Sequence, residues 1–177
     1  MTAEERYDNA LRFAKEKHKG QFRIGGDEYI THPIAVAEIV RRNGYGIDVQ
    51  ITALFHDLLE DTDATEGEII SYGNEEILKA VKLLTKQKGY DMAEYVAGIR
   101  QNETAFAVKA ADRLHNLKCA IVADTEFKRK YIFETVDWYL DFSPEIPKAV
   151  KALAQSMDTP LLELPFLYEP VETWKIK

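Results

Sequence analysis

A chain of 177 residues, 46% apolar and 30% charged, has the size and balance of one soluble globular domain that can bury a core without disulfides or structural zinc. Thirty acidic against 23 basic residues leave a net charge of −7, which excludes a sequence-independent DNA or RNA binder, because such a protein needs a basic face. The single cysteine, Cys119, excludes an intrachain disulfide, and no apolar run approaches the roughly 18 residues of a membrane span, so a cytoplasmic protein without membrane contact is expected.

Helical periodicity dominates from the start. Ala3 to Lys17 places Tyr7, Ala10, Leu11 and Ala14 on one stripe, and Thr2 with Glu5 has capping-box spacing. Residues 20–31 read as a glycine-marked loop. His32-Pro33 opens a second helix that Asn43-Gly44 ends. Asp48 is suited to cap a third helix, predicted to run unbroken from Val49 to about Asp61. Thr65 and Glu68 form another capping-box spacing before a short helix, and a further helix follows Asn74. Helices are then predicted around Met92–Arg100, from Thr104 to about Val122, over Phe127–Phe142, and from Ser143-Pro144 to about Met157. The result is an all-α domain of about eight or nine helices over residues 1–157. Residues 158–177 form a tail in which Pro160, Pro165 and Pro170 forbid a long helix; it is expected to lie extended on the surface or against a second subunit of a homo-oligomer.

Three segments carry residues with chemistry. In Leu54–Thr62, His56 and Glu60 are four apart, as are Asp57 and Asp61, so a continuous helix would put all four on one flank. Three carboxylates beside one imidazole repel one another, and a divalent cation would remove the conflict; a solvated acidic face with an incidental histidine is the plainer alternative. His32 stands behind the glycine-rich loop that contains Arg23; alone, His32 reads as a capping or packing residue and Arg23 as a surface charge. In Val108–Leu117, Lys109, Asp112 and Asn116 share one helical face, while an intrahelical Lys109–Asp112 pair would account for the aspartate by itself. Arg113 and His115 point off that face and read as structural. Taken together, His32, His56, Asp57 and Asp112 make a mixed nitrogen and oxygen set suited to a first-row divalent ion.

The blocks Tyr29-x-x-His32-Pro33, His56-Asp-x-x-Glu-Asp-Thr62 and Asp112-Arg-Leu-His-Asn116 resemble the signature of the HD-domain metal-dependent phosphohydrolases, and more narrowly the hydrolase domain of the RelA/SpoT family. The resemblance covers roughly residues 7–120 and implies an alarmone hydrolase that removes the 3′-diphosphate of ppGpp and pppGpp. At this length the chain is expected to hold the hydrolase without the nucleotidyl-transfer domain. The resemblance further implies that His32, His56, Asp57 and Asp112 hold one Mn²⁺ and that Glu60 and Asp61 are the catalytic acidic pair. It implies that Arg23 stacks on the guanine base, with Lys109 and Asn116 lining the nucleotide pocket and Lys86 a further phosphate contact. The family's second basic residue after the arginine and its proline before the tyrosine are replaced here by Ile24 and Glu28, which lowers the local attraction for a highly charged nucleotide. Hydrolysis of another phosphorylated nucleotide such as NADPH is the alternative within the same chemistry. A non-catalytic nucleotide-sensing domain is the alternative outside it, and the intact Glu60 and Asp61 speak against that one.

Overall fold

The computed structural model describes residues 1–176. They are all-α apart from one isolated bridge between Phe22 and Glu28, and they divide into two compact units, Met1–Asp112 and Arg113–Lys177. No helix among them is long and apolar enough to cross a membrane.

The first unit is built from α1 (Ala3–Lys17), α2 (Thr31–Arg42), α3 (Ile47–Phe55), α4 (Leu58–Asp61), α5 (Glu66–Tyr72), α6 (Glu75–Leu84), α7 (Met92–Arg100) and the part of α8 (Glu103–Cys119) that ends at Asp112. Both predicted capping boxes are formed, Thr2 with Glu5 and Thr65 with Glu68, and each satisfies amides at a helix start. α3 is the centre of the unit and packs against α1, α2 and α6. Its apolar run Ile51, Ala53, Leu54 and Phe55 is wholly inaccessible, which explains why the neighbouring helices turn their own apolar stripes towards it. Asp48 does not cap α3. Gly46 stands at the cap, and the Asp48 carboxylate instead accepts from Arg6 Nη2 at 2.7 Å and from Asn74 Nδ2 at 3.0 Å, tying α1 and the head of α6 to the first turn of α3.

The unbroken helix predicted from Val49 to Asp61 is interrupted. α3 stops at Phe55, His56 and Asp57 form a turn, and α4 restarts at Leu58. Counting this interrupted pair once gives nine α-helices among the described residues. The interruption has a physical reason: adjacent side chains on a regular helix diverge by about 100° and do not face each other. Here Asp57 relaxes to φ −101°, ψ −3°, and His56 and Asp57 reach one point.

The second unit contains the rest of α8, α9 (Thr125–Trp138) and α10 (Glu145–Gln155). Buried Arg113 lies between the rings of Tyr131 and Tyr139, 4.2 and 4.3 Å from their centroids, and bonds Glu134 at 2.7 Å. A guanidinium covered in this way is paired, stacked and structural. The proline-spaced tail does not lie extended. It folds into two 3-10 turns, Pro165–Tyr168 and Val171–Thr173, that pack on α10 and bury Leu161, Leu167 and Trp174. The Tyr168 hydroxyl accepts from Leu161 N at 2.7 Å, and Trp174 Nε1 donates to the Glu169 carbonyl. Leu167→Ala is expected to cost the fold about 2–5 kcal/mol in denaturant unfolding; a cost near zero would show that the tail contributes nothing to the core.

Candidate functional site

The loop before α2 is shaped by glycines. Gly20, Gly25 and Gly26 all have positive φ, at 83°, 103° and 99°. The hairpin they allow is closed by Tyr29 N donating to Gln21 O and Arg23 N to Asp27 O, both at 2.8 Å. It brings Tyr29 over the start of α2, where buried His32 is the second residue.

Within the first unit, His32, His56, Asp57 and Asp112 converge. His32 Nε2 lies 2.9 Å from Asp112 Oδ1 and 3.9 Å from Asp57 Oδ2; His56 Nε2 lies 3.0 Å from Asp57 Oδ2 and 3.5 Å from Asp112 Oδ1. Three of the four, His32, His56 and Asp57, offer ligand atoms all within 4.8 Å of one another. His56 Nδ1 sits 2.7 Å from the Ala53 carbonyl, so that nitrogen carries the proton and donates it. Nε2 is then left buried and without a directional hydrogen bond, although two carboxylate oxygens lie beside it. Beside two carboxylates this nitrogen calls for positive charge, either a proton on the ring or a cation in front of it. The pKa shifts express the same demand. Burial lowers the His56 pKa, but the Asp57 and Asp112 carboxylates outweigh it and hold the imidazole well above its ordinary value. Burial pushes Asp57 up, but the neighbouring His56 outweighs it and the carboxyl titrates at about 2. Asp112 is likewise held well below the carboxylate range, where Lys109 and the two histidines overcome burial. His32 is lowered, chiefly by burial. A divalent cation fits this set: it would accept the bare Nε2, neutralise both carboxylates and leave Nδ1 of His56 oriented by a main-chain carbonyl, an arrangement typical of metal-bound histidine.

At the end of α4 the acidic pair is split in environment. Glu60 Oε1 accepts from the Lys86 backbone N–H at 2.7 Å, so Glu60 is tied to the segment after α6. The Asp61 carboxyl is exposed; partial burial, then Asp57 and Glu60, raise its pKa to about 6. The predicted common helical flank is therefore replaced by a corner, with the metal-type ligands inside it and the acids outside. Lys109 Nζ bonds Asp112 Oδ2 at 3.2 Å and stands 5.7 Å from the centroid of Tyr95, whose ring also carries Lys86 Nζ at 5.6 Å. The Arg23 guanidinium lies 5.8 Å from the centroid of Tyr29. Asn116 is half-buried and belongs to the second unit.

Two residues near the cluster carry no role on sequence grounds. Tyr29 donates its hydroxyl to Asp57 Oδ2 at 2.5 Å, and burial followed by Asp57 raises its pKa, so it stays a donor. His18, 2% exposed, packs its ring on Tyr29 with centroids 4.8 Å apart. The only sequence hints are the scarcity of histidine and the turn-long spacing from Tyr29 to His32.

Residues 10–143 match the HD domain family. A GTP pyrophosphokinase rsh of Brucella melitensis is 33% identical over 179 residues, covering 95% of this chain and 23% of the relative. A guanosine-3′,5′-bis(diphosphate) 3′-pyrophosphohydrolase of Aquifex aeolicus is 34% identical over 143 residues, covering 76% of this chain and 20% of the relative. The chain thus spans less than a quarter of the length of these relatives. A solved structure described as a metazoan ortholog of SpoT that hydrolyzes ppGpp has the same fold, with a TM-score of 0.69 at 21% identity over 85% of this chain and 94% of that one.

Proposed function

The chain belongs to the HD domain family, and on that premise we propose that it is a Mn²⁺-dependent hydrolase that removes the 3′-diphosphate of guanosine alarmones such as ppGpp. The observation that carries the reading is the convergence of His32, His56, Asp57 and Asp112, whose ring nitrogens and carboxylate oxygens lie 2.9 to 3.9 Å apart. The name of the Aquifex relative supplies the substrate class.

His32, His56, Asp57 and Asp112 would hold the ion. When bound, it lowers the pKa of a water and polarises a phosphoryl oxygen. The rest falls to the chain's own groups. Asp61, exposed at the end of α4 next to Glu60, takes the proton of the attacking water. The water oxygen bonds to phosphorus, the bond from phosphorus to the ribose 3′ oxygen breaks, that oxygen is protonated, and pyrophosphate leaves. Glu60, anchored on the Lys86 amide, orients the water and keeps the segment after α6 in place. Lys109 and Lys86 flank Tyr95 as two ammonium groups suited to phosphate oxygens, and Arg23 offers a guanidinium plane to a purine. For Asn116 a ribose or phosphate contact is implied by the family resemblance alone.

With Mn²⁺ the purified protein is expected to release pyrophosphate from ppGpp, and chelation should abolish the release until the ion is restored. Mn²⁺-loaded protein that leaves ppGpp intact while cleaving another phosphorylated nucleotide, NADPH included, would overturn the alarmone assignment. Nucleotide binding with no turnover across the panel would overturn hydrolysis itself.

A further inference from the structure

His18 is nearly inaccessible and makes one side-chain hydrogen bond, Nδ1 to Gln21 Oε1 at 2.8 Å. The direction of that bond follows from its neighbour. Gln21 Nε2 donates to the Asp61 carbonyl at 2.8 Å, and only an amide nitrogen can do so, which fixes the glutamine orientation and leaves its oxygen facing His18. His18 Nδ1 must therefore donate. Burial lowers the His18 pKa, so the ring is neutral and its Nε2 is a buried lone pair with no partner. An aliphatic or phenyl side chain would fill this place without burying a bare acceptor, so packing alone does not explain a histidine. What the ring does supply is two connections. Through Gln21 it reaches the main chain of Asp61, and by its face it supports Tyr29, whose hydroxyl bonds Asp57. Gln21 also accepts from Tyr29 N at 2.8 Å, which closes the set.

We infer that His18 is a positioning residue that holds the Asp57 carboxylate and the Asp61 main chain in one register, the first through Tyr29 and the second through Gln21. The inference rests on the metal-dependent reading of the site, and metal affinity tests it separately from turnover. In full-length protein, Mn²⁺ affinity is measured by competition with a chelating indicator, and kcat and KM for pyrophosphate release are measured at saturating Mn²⁺. His18→Leu is expected to weaken Mn²⁺ about tenfold and to lower kcat about tenfold with KM unchanged. His18→Asn, whose amide N–H can still donate to Gln21 Oε1, is expected to recover most of the kcat. Gln21→Ala, at a half-buried position, is expected to lower kcat about fivefold and leave Mn²⁺ affinity unchanged, and it decides the matter if His18→Leu does not fold. A folded His18→Leu with wild-type Mn²⁺ affinity and kcat, or a Gln21→Ala with wild-type kcat, overturns the inference. If the wild type binds Mn²⁺ but hydrolyses nothing, the proposed reaction fails while the affinity comparison still decides the link from His18 to Asp57.

Discussion

Asp57→Ala should lose metal and activity together. The substitution removes the carboxylate that faces both His32 and His56 and that accepts the Tyr29 hydroxyl. Replacing groups that merely support a ligand weakens metal binding about 10–100-fold, and removing a ligand should exceed that range. Turnover should fall about a thousandfold or more. Metal binding is readable without substrate, because an ion that binds only the folded state raises the melting temperature. Wild-type protein should therefore melt higher as Mn²⁺ is added, and Asp57→Ala should not. A variant that keeps the Mn²⁺-dependent rise would remove Asp57 from the ligand set. Tyr29→Phe is the informative companion: it keeps the four proposed ligands, so its Mn²⁺ affinity should fall only within the range for a supporting group.

Asp61→Asn should separate stability from activity. In the folded protein this carboxyl titrates at about 6, against an ordinary value of 3.8, because partial burial and the charges of Asp57 and Glu60 disfavour its ionised form. The folded state thus binds this proton more tightly than the unfolded state, and the stability it contributes is present below about pH 4 and lost as pH rises through 6. Above that pH the ionised group is a net cost, which the asparagine does not carry. Since the side chain is exposed and screened, the gain should be at most about 1 kcal/mol. Metal-free Asp61→Asn should resist denaturant better than wild type at pH 8 and equally at pH 4, while turnover with saturating Mn²⁺ drops about 10²–10⁴-fold. Equal stability at both pH values would remove the electrostatic account, and wild-type turnover would remove Asp61 from proton transfer. Glu60→Gln should give no such stability gain, since Glu60 would lose charge in its bond to the Lys86 amide.

Much of this molecule is written in local patterns. The capping boxes at Thr2 and Thr65, the glycine stops and the 3.6-residue stripes are short-range physics, and the helices formed where those patterns stand. The proposed ligand set is read from the resemblance carried by three ordered blocks, and the structure brings His32, His56, Asp57 and Asp112 together. The corner at His56–Asp57 is not legible in the sequence. Neither residue breaks a helix by propensity, and the apolar spacing runs on through Leu58 and Leu59. What interrupts the helix is the convergence of the two side chains, which depends on His32 and Asp112 arriving from elsewhere in the unit. Asp48 shows the same limit: its sequence is that of a cap, but Arg6 and Asn74, 42 and 26 residues away, take its carboxylate. The tail departs from the extended form that its sequence suggests because prolines exclude a long helix but permit 3-10 turns, and the apolar residues between them have a face of α10 to cover. The contacts of Gln21 with Asp61 and of Tyr29 with Asp57 span 40 and 28 residues, and no spacing rule encodes them.

The corner between α3 and α4 also bears on how such a protein can change over evolutionary time. Phe55 and Leu58, the residues on either side of it, have no exposed surface, so His56 and Asp57 are clamped in place. The hairpin carrying Arg23 is the opposite: Phe22 and Ile24 are about two-thirds exposed on backbone that glycines let turn. Substitutions in the hairpin can redraw what the surface recognises without moving a buried ligand, whereas almost any substitution at the corner is felt by the core. Selection for a new substrate would act on the first and be blind to the second, so a lineage could change its nucleotide while the positions of His56 and Asp57 stayed the same.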